Sequence, residues 1–173
     1  AMGERLFFAL WPDPEVRRGL DEILRQLPAH HGKSPHREDL HITLVFLGEL
    51  EEVRRRCAEA VADRLAGEPF RLRLDRVGYW PRPRILWCGA SLVPEPLVEL
   101  VGGLNRGLRG CGLKPERRAF AAHVTLARKA RRVQPRELAQ PLDWPVREFA
   151  LIASRLDRPP PRYEVLRRWS LGS

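Results

Sequence analysis

Threonine is almost missing from this 173-residue chain, occurring only at Thr43 and Thr125. Lysine is nearly as scarce: Lys33, Lys114 and Lys129 stand against 28 arginines. Cysteine occurs three times, at Cys57, Cys88 and Cys111. That number is odd, and the positions are well separated and lack metal-ligand spacing. The expectation is reduced thiols in a cytoplasmic protein rather than a disulfide framework. No apolar run approaches the roughly 20 residues of a membrane span, and the apolar start Leu6–Trp11 is too short for a signal peptide, so no membrane partner is expected. Ala1 before Met2 reads as a cloning remnant outside the fold. The phosphate-loop signature is absent, since Gly102-Gly103 falls inside a helical pattern. Ser91, Ser154 and Cys88 have no histidine nearby in sequence, which gives no support to a nucleophilic serine or cysteine.

What is present starts with charge. The net charge of +9 arises almost wholly from arginine. Such a balance favours polyanionic partners, RNA or nucleotides. Arginine-rich composition also arises from coding bias or growth conditions, so charge does not decide the matter. With 43% hydrophobic residues, the chain can bury a sizeable core as one domain spanning residues 1–173. Nothing bears on assembly, and monomer is the default at this size.

The informative feature is where the two threonines stand. His41-Ile42-Thr43-Leu44 is matched 82 residues later by His123-Val124-Thr125-Leu126. Both copies lie in apolar, β-branched surroundings and read as strands. Residues i and i+2 of a strand share a face. Each copy therefore projects an imidazole and a hydroxyl to one side and sends Ile42 and Leu44, or their counterparts, into the core. We treat the pair as an internal repeat.

The elements around these copies are read from periodicity and breakers. Arg5–Trp11 is a buried first strand. Asp13-Pro14 caps a helix carrying Val16, Leu20, Ile23, Leu24 and Leu27, which Pro28 ends. His30, His31 and His36 fall in a Gly/Pro loop read as solvated rather than as a metal site. Leu40–Leu47 is the first motif strand, stopped by Gly48, and Glu49–Ala66 a second helix with Val53, Cys57, Val61 and Leu65 on its inner face. Phe70–Val77 and Ile85–Ala90 form a hairpin around a turn at Tyr79–Arg84. A third helix runs from Pro94 to Gly110, and Ala121–Ala127 is the second motif strand, with Arg117, Arg118, Arg128, Lys129, Arg131 and Arg132 flanking it. A short helix is expected over Pro135–Gln140, then strands Val146–Ser154 and Arg162–Trp169. Two βαβα-like halves, one motif each, make an α+β protein with pseudo-twofold symmetry.

If the two strands face one cleft, one neutral imidazole can take a proton from water while the other, protonated, gives one to a leaving oxygen. The threonine hydroxyls and an arginine would hold phosphate oxygens. Neither metal nor cofactor is called for.

At these residues the chain resembles the two-histidine phosphoesterases, and within them the RNA 2′,3′-cyclic phosphodiesterases, historically called 2′-5′ RNA ligases. The resemblance is carried by Arg5-Leu6-Phe7-Phe8-Ala9-Leu10, the two motifs, Phe46-Leu47-Gly48, Arg118-Ala119-Phe120, Ala127-Arg128, Ser154-Arg155-Leu156 and Tyr163-Glu164-Val165-Leu166. It implies a bilobal fold, two antiparallel β-sheets flanked by helices around a central cleft. It further implies opening of RNA 2′,3′-cyclic phosphates to 2′-phosphomonoesters without metal or ATP, and reversible 2′-5′ joining of tRNA halves. By motif position His41 and His123 become the catalytic pair; which is acid and which base stays open, and His41 as acid with His123 as base is the working assignment for a 3′-oxygen leaving group. Thr43, Thr125 and Arg128 become phosphate contacts; strand parity puts Arg128 on the face opposite His123 unless the strand ends or twists there. Ala122 stands where a proline often precedes the second histidine, and the residues before His41 lack an aromatic often found there. Tyr79, Trp80 and Tyr163 are the candidates for contacting a nucleobase, whereas Phe7, Phe8, Phe46 and Phe120 are read as core. The rival readings are a cyclic phosphodiesterase of small nucleotides and a non-catalytic RNA-binding module.

Overall fold

The computed structural model describes residues 3–114 and 120–172. The expectations for Ala1, Met2, Arg117, Arg118 and Ala119 fall outside them. Among the described residues, no helix is long and apolar enough to cross a membrane.

Eight strands, β1 (Glu4–Leu10), β2 (Ile42–Leu50), β3 (Phe70–Trp80), β4 (Ile85–Gly89), β5 (His123–Ala127), β6 (Arg136–Val146), β7 (Glu148–Ser154) and β8 (Tyr163–Ser170), form one antiparallel sheet in the order β6-β3-β4-β5-β2-β1-β7-β8. The two expected sheets are its two four-stranded halves. They join through β2 and β5 at one residue pair, Ile42 opposite Val124. Both side chains are fully buried.

Three helices, α1 (Pro14–Arg25), α2 (Glu52–Asp63) and α3 (Glu95–Arg109), contribute to the main hydrophobic cluster on one face of that sheet. Local chemistry explains their ends. Asp13 accepts the Val16 N–H at 2.8 Å and Pro14 occupies the first turn of α1. Gly110 comes directly after the last residue of α3. The opposite sheet face carries a small buried apolar cluster of Phe7, Ala9, Ala150 and Ile152, and it is the face on which the motif imidazoles and hydroxyls stand.

Several expectations are corrected. Residues 136–146 are strand, not helix: β6 pairs with β3 and, among the described residues, has no neighbour on its other side, so Pro141 and Pro145 interrupt no second ladder there. Gly48 does not stop β2; with φ +76 it passes through a bulge where Leu6 and Phe7 face Gly48 and Phe46. Tyr79 and Trp80 belong to β3, paired with Leu86 and Ile85, and the hairpin turn is confined to residues 81–84. Val53 is exposed, because α2 turns Ala58, Val61 and Ala62 inward.

Cys57 and Cys111 form a disulfide across 54 residues, leaving Cys88 free and buried. Packing of α2 against α3 brings the two sulfurs together, a proximity no spacing rule reveals. The bond removes the thiol argument for a reducing compartment.

Candidate active site

The Ile42–Val124 pair sets the geometry. In an antiparallel pair, stepping one residue each way brings His41 opposite Thr125 and Thr43 opposite His123. With Ile42 and Val124 buried against the helices, all four functional side chains emerge together on the open face.

The repeat extends to how the imidazoles are held. His41 Nδ1 donates to the Asp39 carbonyl at 2.7 Å, and His123 Nδ1 donates to the Ala121 carbonyl at 2.9 Å. A carbonyl only accepts, so in both rings the proton sits on Nδ1 and the Nε2 lone pair is left free. His41 Nε2 accepts from the Thr43 hydroxyl at 2.9 Å.

Burial pushes the His41 imidazole down to about 4; the backbone bond and the Asp39 carboxylate oppose the shift, while Arg128 and His123 add to it. His123 is lowered in the same direction by burial, opposed by the Ala121 carbonyl and helped by Arg128. A cation deprived of water is disfavoured. In the free protein at neutral pH His41 is therefore neutral.

Arg128 thus acts on both rings, although strict alternation would send it to the other face. The reason is a bulge. Leu86 and Trp87 of β4 face Ala127 and Thr125, leaving Leu126 as an extra residue. Leu126 and Ala127 are both buried, and Arg128 returns to the side of His123. It also pairs with Lys33 through backbone bonds of 2.8 and 2.9 Å. The first motif has the same irregularity: Phe8 and Ala9 face Val45 and Thr43, so Leu44 is the extra residue. By this symmetry Phe46 occupies the position equivalent to Arg128. It is 53% exposed, with the Arg5 guanidinium 5.0 Å above its ring, so Phe46 is not core.

Aromatic rings enclose each imidazole. Around His41 stand Phe7 at 4.9 Å, Tyr163 edge-on at 5.1 Å and Trp11 stacked at 5.7 Å. Phe7 therefore belongs to the open face rather than the main core. Trp80 meets His123 edge-on at 4.6 Å. Tyr79 packs on the main cluster and gives its hydroxyl to the Ala130 carbonyl at 2.9 Å; it is not brought to the imidazoles.

A cavity of about 600 Å³ opens beside His41, lined also by Thr125, Arg128, Tyr163, Arg5, Lys33, Ser34, Pro35, His36, Asp39 and Arg162. The loop read as solvated is thus one of its walls. There, His36 and His30 accept backbone N–H bonds from Glu38 and Gly32, each at 3.0 Å. Arg5 and Arg162 were missed because each lies far from the motifs in sequence, and Lys33 because only its backbone pairing with Arg128 brings it to the cavity. Asp39 was missed as well. Only 6% exposed, its carboxylate accepts the Arg162 and Tyr163 N–H groups at 2.8 and 3.1 Å, tying the start of β8 to His41. Among the described residues, no three His, Cys, Asp or Glu side chains converge as a metal site.

Residues 12–158 match the family described as the 2′-5′ RNA ligase superfamily. The chain belongs to this superfamily. Among its members, the RNA 2′,3′-cyclic phosphodiesterase of Escherichia coli K12 is 33% identical, with 97% of each chain covered. The Thermus thermophilus protein of the same name is 37% identical over 96% of this chain and 90% of its own. The crystal structure of E. coli LigT complexed with 3′-AMP superimposes with a TM-score of 0.90 at 32% identity, covering 99% of both chains. A crystal structure from T. thermophilus gives 0.80 at 35% identity, covering 96% and 97%.

Proposed function

We propose that this protein is an enzyme that hydrolyses the 2′,3′-cyclic phosphate ends of RNA to 2′-phosphomonoesters through His41 and His123. The observation that carries the reading is the Ile42–Val124 register, which sets each imidazole opposite the other motif's threonine on one open face. Curated relatives covering nearly the whole chain are named for this activity.

Water attacks phosphorus in line with the 3′-oxygen and gives its proton to His123 Nε2. The bond from phosphorus to the 3′-oxygen breaks, and that oxygen takes a proton from His41 Nε2, leaving phosphate on the 2′-oxygen. Because His41 is neutral in the free protein, its proton arrives with the anionic substrate, whose charge favours imidazolium. Thr43 turns its hydroxyl from His41 to a non-bridging oxygen, and Thr125 and Arg128 hold the others as charge develops. Tyr163 is the ring surface available to a base beside His41. Attack by an RNA 5′-hydroxyl in place of water, with the same two proton transfers, would form a 2′-5′ bond. The chain works as one two-lobed unit.

Neither proton transfer needs a metal, so the test is turnover of a cyclic-phosphate-ended oligonucleotide in excess EDTA. His41→Ala and His123→Ala should each lower kcat/KM by about 10²–10⁴. Activity abolished by EDTA, or intact in either variant, would overturn the mechanism. A substrate with sulfur in place of the bridging 3′-oxygen leaves without a proton and should rescue the variant lacking the acid. Rescue of His123→Ala instead of His41→Ala would exchange the two roles. RNA binding without any turnover would leave only a binding module.

A further inference from the structure

A second cavity, of about 460 Å³, lies on the His123 half of the open face, and the reaction proposed above does not use it. Its main surface is an aromatic slab. Trp87 sits opposite Gly78 on β3 and Thr125 on β5, so it shares their face. The ring lies flat because its neighbours lack side chains. A Cβ at Gly78 would collide with it, and one at Gly89 would stand 3.0 Å away. Trp80 leans on this ring at 5.2 Å and 36° while its own edge meets His123. Arg76 places its guanidinium 5.4 Å over Trp87. The surface therefore runs unbroken from the imidazole through Trp80 and Trp87 to Arg76.

Two further observations say what it suits. Among the described residues the indole N–H of Trp87 is buried without a partner, so packing rather than a hydrogen bond holds the ring. The charges around the cavity balance, Arg76 and Arg136 against Asp75 and Glu137. Arg76 lies opposite Glu137 across the β3–β6 pairing, and Ser91 bonds the Asp75 carboxylate. A phosphate would want excess positive charge, whereas a neutral heterocycle stacks on an aromatic face or on an arginine plane laid over one, as Arg76 is laid over Trp87.

We propose that Trp80, Trp87 and Arg76 form a second nucleobase subsite, which stacks a base of the nucleotide next to the one bearing the cyclic phosphate. The cleft then recognises at least a dinucleotide end. This rests on the reaction proposed for His41 and His123.

The test compares kcat/KM for a 2′,3′-cyclic mononucleotide with that for a dinucleotide ending in the same cyclic phosphate. One stacked base corresponds to a preference of about 5- to 150-fold for the dinucleotide. That preference should collapse toward unity in Trp87→Leu and in Arg76→Ala, the latter a surface change that leaves the slab folded. A second readout is the Trp87 indole N–H resonance, assigned by its loss in Trp87→Leu. It should shift with a dinucleotide 2′-phosphate and stay unmoved with a mononucleotide 2′-phosphate. Equal use of both substrates by the wild type, or an unchanged ratio in Arg76→Ala, would overturn the subsite. Failure of the wild type to turn over either substrate would instead overturn the reaction, and the resonance shift would then decide the subsite alone.

Discussion

Replacing Asp39 tests how the site is held together. The carboxylate is buried and accepts two backbone N–H groups, from Arg162 and Tyr163. A hydrogen bond to a charged group contributes about 1.5–3 kcal/mol, and an orphaned buried donor costs about 1–3 kcal/mol. Asp39→Ala orphans both donors, so it should lower stability by about 3–5 kcal/mol. Asp39→Asn keeps one acceptor oxygen but points its own N–H groups at the second donor, for a loss of about 2–3 kcal/mol. Urea unfolding midpoints at unchanged slope measure this directly. The same carboxylate raises the pKa of His41, so Asp39→Asn should move the His41 titration to still lower pH, read by NMR of the imidazole. Tyr163, whose ring meets His41 edge-on, should loosen with β8, and turnover should fall. Stabilities of both variants within about 0.5 kcal/mol of wild type, the range of ordinary surface changes, would refute the clamp.

Charge and the cross-link are open to test as well. Arg128 lowers the pKa of both imidazoles, so Arg128→Gln should raise both; the acid limb of a bell-shaped kcat/KM profile should move to higher pH while KM increases, and an unmoved limb, or a profile flat from pH 5 to 8, would contradict the assignment. Replacing Cys57 and Cys111 by serine frees a 54-residue loop in the unfolded chain, and chain entropy alone sets the loss at about 4 kcal/mol. Turnover at a temperature where the variant stays folded should be unchanged, because the bond joins α2 to the end of α3 in the helical layer; a parallel loss of kcat would show that the helices transmit to the cleft.

The four motif residues were legible because alternation on a strand is a local rule, and Ile42 and Val124 obey it. The residues just after each motif were not legible in the same way. Leu44 and Val45, like Leu126 and Ala127, are consecutive apolar residues that read equally well as continued strand. Only cross-strand register reveals that Leu44 and Leu126 are extra. Alternation alone therefore left Arg128 turned away and Phe46 buried. Helix was expected over residues 135–140 because prolines discount a strand unless the strand is known to sit on an edge. The Cys57–Cys111 bond depends on how two helices pack, which composition does not encode. Asp39 escaped notice because its partners lie 123 and 124 residues away.

The matched bulges have one more implication. A binding site made by doubling a unit treats both ends of its ligand alike until something spoils the match. Here the spoiler is the mismatch at one pair of equivalent posts, a guanidinium on one lobe and a benzene ring on the other, the latter already covered by Arg5. Arg5 lends its guanidinium to the Phe46 post, so both posts carry positive charge, one from within the repeat and one borrowed from the neighbouring strand. In the proposed reaction the mirrored architecture supplies the two proton carriers, while its broken likeness leaves a bare cation at one post and a ring beneath a cation at the other.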